Sequence, residues 1–369
     1  MKRDDAVYMR LALREAEKGR GRTSPNPCVG AVIVREDTVV GRGFHRKAGT
    51  PHAEVNAIAD AGKYTVGSTI YVTLEPCNHT GRTPPCTKAI IDAGLSRVVV
   101  GMSDPNPSVT GGGSAYLSSR GILVETGLLE EECRAINQPF IKHSTTGLPW
   151  VVMKAGMSLD GKISYVSGQG GRITGAQSQS VTHGLRNTTD ALLVGVDTVI
   201  IDDPSLTTRL PDTEDVRDPL RVVLDTNLRL PPETKILRRH SEAPTWIYCS
   251  PLAPADKKER LLAAGAVVHT ADVTAEGKLD IRAVLSHLGM HGICSVLVEG
   301  GARVHGSMLS HALVDEVYLF TAPFFIGEQG IPLFAGFSRI SAETAPRLEN
   351  LECRMLGNDI LLHGFTQYR

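Results

Sequence analysis

Apolar side chains recur at near-helical spacing from residue 4 to residue 18 behind an acidic start, and Gly19 stands where a left-handed residue closes such a helix. The period then changes. Val29 to Val34 and Thr38 to Val40 are short β-branched runs parted by Arg35-Glu36-Asp37, which predicts a hairpin. His52 to Ala61 returns to a helical pattern. Ser68 to Leu74 reads as a strand, Thr87 to Ala93 as a helix and Arg97 to Met102 as a buried strand. Strands alternating with helices predict an α/β layered domain whose loops at one sheet edge carry the chemistry.

Ser144 to Pro149 interrupts this alternation with small, turn-forming residues, so the sequence predicts a first domain over 1–146 and a second over 147–369. In the second, VVMKAGM, ALLVGV, LRVVLD, TWIYCS, AVVHT, SVLVEGG and EVYLFTAPFFIG read as strands bounded by turns or polar helical stretches. That is another α/β unit, and 369 residues suit two domains better than one. A net charge of −1 gives no general pull towards phosphate backbones or anionic membranes, which favours a small-molecule substrate and no nucleic-acid or membrane partner. The start MKRDDAVYMR has no apolar h-region, and no run approaches the ~18 apolar residues of a membrane helix, so the expected location is the cytoplasm. Seven scattered cysteines argue for reduced thiols with a few metal ligands rather than a disulfide framework.

The candidate chemistry lies within 35 residues: His52-Ala53-Glu54, then Pro76-Cys77, then Cys86. One imidazole and two thiolates make a three-ligand zinc site with an open fourth position, which separates a catalytic zinc from a closed structural one. An open position lowers the pKa of a bound water to about 7, and Glu54 is placed to shuttle its proton. The order H-x-E followed by P-C is the pattern of zinc deaminases acting on amino-bearing ring carbons. His52 and Glu54 are two apart and would diverge inside a helix, so they belong at a helix start, where Pro51 is tolerated. Cys77 follows the strand ending at Leu74, and Cys86 opens the next helix, where the helix terminus and a metal both favour thiolate. Singly, these residues read as a surface histidine, a first-turn carboxylate and buried thiols. Cys28, Cys133, Cys249, Cys294 and Cys353 have no metal-type neighbours and read as ordinary small side chains.

Nucleobase deaminases usually carry C-x-x-C, whereas eight residues part Cys77 from Cys86 here. That segment (Asn78-His79-Thr80-Gly81-Arg82-Thr83-Pro84-Pro85), with Thr23-Ser24-Pro25-Asn26-Pro27 and Asp104-Pro105-Asn106-Pro107, resembles the deaminase half of the bifunctional riboflavin-biosynthesis deaminase/reductase family. The resemblance implies a cytidine-deaminase-like α/β/α layered first domain that deaminates 2,5-diamino-6-ribosylamino-4(3H)-pyrimidinone 5′-phosphate. It also implies that Asn26, His45, His79, Arg82 and Asn106 hold the pyrimidine and ribose phosphate. Arg82 suits bidentate phosphate recognition. Asn26 and Asn106 read equally well as turn residues flanked by prolines.

In the second domain, Val298 to Ser307 reads as a strand entering a glycine-rich turn and a helix, where backbone N–H groups can hold a phosphate. It is not a G-x-G-x-x-G fingerprint, which disfavours a Rossmann fold. Lys154 to Lys162, Arg172 to Gly175, Val194 to Thr198, Asp202 to Arg209 and Val298 to Gly301 are similar to the reductase half of the same family, and imply a dihydrofolate-reductase-like α/β domain that binds NADPH. The resemblance puts Gly156, Arg172, Thr198, Asp202, Thr226 and the turn Gly301, Ala302, Arg303, Val304, His305, Gly306, Ser307 against NADPH. Arg186, Leu206, Arg209 and Glu299 would contact substrate, and Lys154 would act catalytically at the ribose. Without it, Asp202-Asp203-Pro204 is a turn signal, Arg186 and Arg209 are solvated cations, and Lys154 is an exposed strand lysine. Gly170 departs from relatives, which often carry a substrate-touching serine there. The resemblance further implies a homo-oligomer, a dimer or tetramer. Two other classes compete. A nucleic-acid deaminase needs a basic groove, and a zinc-stabilised binding module would close the site with His45 or His79, leaving Glu54 without a purpose.

Overall fold

The N-terminal helical spacing is realised as α1, Asp5–Glu17, which buries Met9, Ala12 and Ala16 along one face. The computed structural model describes residues 4–79, 84–106, 112–211, 213–238 and 241–368. Its chain divides into two units, Met1–Gly147 and Leu148–Arg369. In the first, a hairpin joins β1, Gly30–Arg35, to β2, Thr38–Phe44. Glu36 and Asp37 take φ of 48° and 61°, the left-handed pair of a tight hairpin turn. There follow α2 (Ala53–Ala61), β3 (Thr69–Leu74), α3 (Cys86–Asp92) and β4 (Arg97–Met102). The unit closes with α4 (Gly113–Ser119), β5 (Leu123–Thr126), α5 (Glu130–Ile136) and α6 (Gln138–Thr146).

The sheet runs β2-β1-β3-β4-β5, with β3, β4 and β5 parallel and β1 antiparallel to both its neighbours. β1, β3 and β4 are buried almost residue by residue, which explains why they read as continuous apolar runs rather than alternating ones: both faces are covered. Arg97 of β4 forks onto Asp5 of α1 (2.9 and 2.8 Å) and Glu125 of β5 (2.8 and 2.6 Å), and the Tyr71 hydroxyl of β3 also donates to Asp5, so one polar network fastens α1 to three strands.

Two expectations are corrected here. Gly19 is not left-handed; Gly21 is, at φ 72°. A β-carbon on Gly19 would stand 2.6 Å from the His45 carbonyl, so that glycine serves close packing rather than helix termination. Nor are the first residues of the Ser144 to Pro149 break turn-forming: Ser144 to Thr146 complete α6, and Gly147, left-handed at φ 72°, ends it.

The second unit contains β6 (Trp150–Ser158), β7 (Lys162–Ser164), α7 (Ala176–Thr188), β8 (Ala191–Gly195) and α8 (Val196–Asp202). Next come β9 (Leu220–Leu224), α9 (Lys235–Arg238), β10 (Thr245–Cys249), α10 (Ala255–Ala263) and β11 (Val267–Thr270). The chain continues through α11 (Ile281–Met290), β12 (Ser295–Gly300), α12 (Ala302–Ser310) and β13 (Glu316–Ala322). It finishes with β14 (Ile331–Pro332), β15 (Arg347–Leu356) and β16 (Asp359–Gln367). Nine strands form one sheet in the order β11-β10-β9-β8-β12-β6-β13-β16-β15; β16 runs antiparallel to both its neighbours, β13 and β15, the other pairs are parallel, and β7 and β14 pair separately. Along each central strand, successive residues serve opposite faces. Val151, Met153, Val222 and Val298 join one core, while Val152, Leu192, Val223 and Leu297 join another. No helix among the described residues is long and apolar enough to cross a membrane.

Candidate active sites

In the first unit, the start of α2, the end of β3 and the start of α3 deliver the metal-type side chains. His52 is the extended N-cap of α2 (φ −73°, ψ 168°), so its ring leaves the helix line while Glu54 sits in the first turn. Asn56 holds the incoming loop by donating to the carbonyls of Phe44 (2.8 Å) and Pro51 (3.2 Å). Cys86 is the first residue of α3, behind Pro85, and its N–H lies 3.3 Å from Cys77 Sγ. His52 Nδ1 is 3.2 Å from Cys86 Sγ and 3.6 Å from Cys77 Sγ. A tetrahedral zinc with ordinary Zn–N and Zn–S bonds spaces such atoms about 3.6 Å apart, so one imidazole and two sulfurs at these distances fit that ion. Among the described residues this is the one His, Cys, Asp or Glu trio so arranged.

His45 does not complete the set. Its Nδ1 faces the Pro51 carbonyl at 3.3 Å, which can only accept, so the ring proton sits there and Nε2 accepts from Asn26 Nδ2 at 3.0 Å. Both nitrogens are engaged, and burial lowers the pKa of the ring, which keeps it neutral. The fourth position is therefore not taken by His45. Glu54 is 3% exposed, and burial, aided by the charge of Cys77, lifts its pKa to about 7. The hydrogen bond with Cys86, and also His52, push the Cys77 thiol below its ordinary value, which favours its thiolate.

A cavity of about 400 Å³ opens over His52 and Cys77, within the usual range for a small-molecule site, with Cys86 buried behind them. Asn26, His45, His79 and Asn106 line it together with His52, Glu54 and Cys77. Arg82 lies outside the described residues. Among the lining residues that sequence reasoning missed are Glu75, Asp104 and Phe140. Glu75 accepts the N–H of Ser114 (2.9 Å) and of Asp104 (3.4 Å), and Asp104 accepts that of Asn106 (2.9 Å), so two carboxylates shape the turn that carries Asn106. A carboxylate between a buried strand and Pro76 was the available signal for Glu75. Phe140 comes from a helix the pattern did not announce.

In the second unit, β6 supplies Lys154 and Gly156, α7 supplies Arg186, β12 supplies Glu299, and the loop after α8 supplies Leu206 and Arg209. Arg186 is no solvated cation. Its Nε and Nη2 meet the two Glu299 oxygens at 2.6 and 2.7 Å, its Nη1 donates to the Thr207 carbonyl at 2.9 Å, and the paired side chains are 11% and 9% exposed. Burial alone would raise the Glu299 pKa, but Arg186 and Lys154 hold it below the usual range. Burial lowers the Lys154 pKa, and its Nζ lies 5.5 Å from the Phe320 ring centre. Arg209 Nη1 donates to Ser205 Oγ (3.0 Å) and Thr207 Oγ1 (3.3 Å). Leu206 places its side chain in the core at φ 50°, leaving only its backbone for a ligand.

The cofactor positions are partly rearranged. The turn expected over 301–307 is a helix from Ala302 onward, with Gly301 at φ 87° as its N-cap. Val304, His305 and Gly306 are buried: Val304 packs in the core, and Gly306 lies against the Ala335 carbonyl. Their side chains face the interior, so Gly301, Ala302, Arg303 and the free N–H groups of the first turn are what the helix offers, with Ser307 half-buried beyond them. A β-carbon on Gly300 would come 2.8 Å from the Thr198 hydroxyl, which brings that hydroxyl and the N-terminus of α12 together in a setting that fits a phosphate-bearing cofactor. A β-carbon on Gly156 would press on Thr174 at 3.0 Å. Arg172 is exposed, and Thr226 follows β9, its carbonyl accepting from Ser250 N–H at 3.0 Å. The Gly170 departure has a steric counterpart: a β-carbon there would overlap the Asp202 carboxylate at the end of α8.

Residues 149–362 match the family described as RibD C-terminal domain, and residues 2–102 match the cytidine and deoxycytidylate deaminase zinc-binding region. A "Riboflavin biosynthesis protein RibD" from Bacillus amyloliquefaciens is 42% identical, covering 97% of this chain and 95% of its own. One of the same name from Aquifex aeolicus is 41% identical over 99% of both chains. Among solved structures, Acinetobacter baumannii RibD superposes with a TM-score of 0.88 at 36% identity over 99% of each chain. A Thermotoga maritima diaminohydroxyphosphoribosylaminopyrimidine deaminase/5-amino-6-(5-phosphoribosylamino)uracil reductase does so with a TM-score of 0.85 at 34% identity, over 98% of this chain and 99% of its own.

Proposed function

The chain belongs to the RibD family of bifunctional riboflavin-biosynthesis enzymes, and from that premise we propose how each half does its work. The protein is a zinc-dependent deaminase and an NADPH-dependent reductase. Residues 1–146 carry the first activity and 147–369 the second. The substrate is the diaminopyrimidinone ribotide, converted first to the ribosylaminouracil phosphate and then to 5-amino-6-(5-phospho-ribitylamino)uracil. The observation that carries this reading is the meeting of His52, Cys77 and Cys86 at one centre, with His52, Cys77 and the buried carboxyl of Glu54 lining a cavity of about 400 Å³.

His52 Nδ1 and the sulfurs of Cys77 and Cys86 would hold the zinc. When bound, the ion brings a water's pKa close to neutrality. Glu54, poised by burial to carry a proton near neutral pH, takes one proton from the water and gives it to the ring nitrogen, then takes the remaining proton of the oxygen now bonded to the ring carbon and gives it to the amino group, which departs as ammonia. Asn26 commits Nδ2 to His45, which leaves Oδ1 to accept from the pyrimidine. His79, Arg82 and Asn106 hold the ribose phosphate.

In the second site Gly156, Arg172, Thr198, Asp202, Thr226 and the start of α12 would hold the dinucleotide. NADPH supplies the hydride there. Lys154 gives a proton to the ribose ring oxygen as the ribosylamine opens to an iminium at C1. Arg186, Glu299, the backbone of Leu206 and Arg209 fix the substrate. The protein works in the cytoplasm as a homodimer or homotetramer on a small ribotide rather than on nucleic acid. Glu54→Ala should stop ammonia release while NADPH oxidation with pre-deaminated substrate continues. Loss of both activities would show that Glu54 has another role.

A further inference from the structure

The loop from Asp203 to Arg209, which brings Arg209 to the reductase site, has a costly backbone. Asp203 and Leu206 are left-handed at φ 39° and 50°, and neither is glycine, so the conformation persists only where its surroundings over-determine it. Most of those restraints are visible. Leu206 is sunk in the core, Arg186 holds the Thr207 carbonyl, and Thr208 is fixed through its N–H to Asp218 Oδ1 (2.7 Å) and its hydroxyl to the Arg217 carbonyl (2.8 Å). At Arg209 itself the backbone N–H is received by His183 Nδ1 at 3.2 Å. His183 is 9% exposed on α7, three residues from Arg186 and hence on the same helix face.

The chemistry of that contact fixes the state of the ring. Nδ1 can accept only if it carries no proton, so His183 is neutral with its hydrogen on Nε2. Arg186, Arg209 and Lys154 face it with one carboxylate, Glu299, and an imidazolium would add a fourth cation there while losing the acceptor. Burial, reinforced by Arg186 and Arg209, accordingly holds its pKa down at about 4.

We propose that His183 is a positioning residue of the reductase site: it grips the Arg209 backbone and thereby sets the angle at which the Arg209 guanidinium, with Ser205 and Thr207 beside it, meets the phosphorylated substrate. This rests on reading Arg209 as a substrate contact. Its role is in binding rather than in proton or hydride transfer.

The test uses the full-length enzyme, pre-deaminated substrate and NADPH, with urea unfolding of the second unit, followed by the fluorescence of Trp150 and Trp246, as the check on folding. His183→Ala should raise the KM for the ribosylaminouracil phosphate about tenfold, the worth of one hydrogen bond, with kcat within about twofold. His183→Asn, whose amide oxygen takes the place of Nδ1, should restore KM. His183→Gln, which carries its amide one bond further out, should not. An unchanged KM in His183→Ala, a fall confined to kcat, or equal behaviour of the Asn and Gln variants would overturn the proposal. If the alanine variant does not fold, the Asn and Gln comparison decides alone. Wild-type enzyme that oxidises no NADPH would instead remove the reductase reading beneath it.

Discussion

In the first unit the metal set and Glu54 come from neighbouring element ends within 35 residues, whereas Lys154 and Glu299 of the second stand 145 positions apart. The first site is local: an N-cap, a strand end and a helix start point at one centre. The second exists only through sheet topology. β12 lies beside β6 in parallel, with Val298 opposite Met153, so the next residue on each strand is Glu299 or Lys154. A local site is legible as a motif, while a site assembled by strand order has no spacing to read.

The contrast predicts separable failures. The largest effect belongs to the local site: Cys86→Ser should empty the metal position, taking zinc content by elemental analysis from one per chain to none and ammonia release to background. NADPH oxidation with pre-deaminated substrate should survive, and its loss would mean that the two sites are not built independently. Glu299→Gln should cost about 3–5 kcal/mol in urea unfolding of the second unit, because it leaves Arg186 buried without its counter-charge. A cost below about 1 kcal/mol would place the pair among ordinary surface salt bridges.

Smaller again is Gly170→Ser, whose β-carbon has to displace the Asp202 carboxylate. It should raise the reductase KM for NADPH or substrate a few-fold, and an unchanged KM would detach Asp202 from the site. The smallest effect concerns Glu316. Burial would raise its pKa, yet hydrogen bonds from His363, Trp150 and Tyr318 hold it below the usual value. A depressed folded-state pKa adds stability above the unfolded value of about 4.3 that is lost as pH falls through the folded one. The melting temperature should therefore drop on acidification below that pH, and Glu316→Gln should flatten the drop.

Much of the first unit was readable because its strands and helices carry their own periods. β4 forms over the predicted residues, and His52 sits at the helix start that its spacing from Glu54 required. The failures have physical causes. Gly19 looked like a cap, but its lack of a side chain admits the His45 carbonyl. β15 escaped notice because it is exposed along nearly its whole length as an edge strand and shows no alternation. Glu299 and Arg186 read singly as common polar residues, and only the fold makes them a buried pair. His183 carried no local signal, since its partner is a backbone N–H 26 residues away.

The most direct test follows ammonia release and NADPH oxidation separately as purified protein is given the diaminopyrimidinone ribotide, with and without a zinc chelator. Ammonia should appear first, NADPH should then be consumed, and the chelator should block the second signal only when the reaction starts from the diamino compound. Ammonia without NADPH oxidation, or NADPH oxidation that the chelator stops even from pre-deaminated substrate, would contradict two independent sites acting in that order.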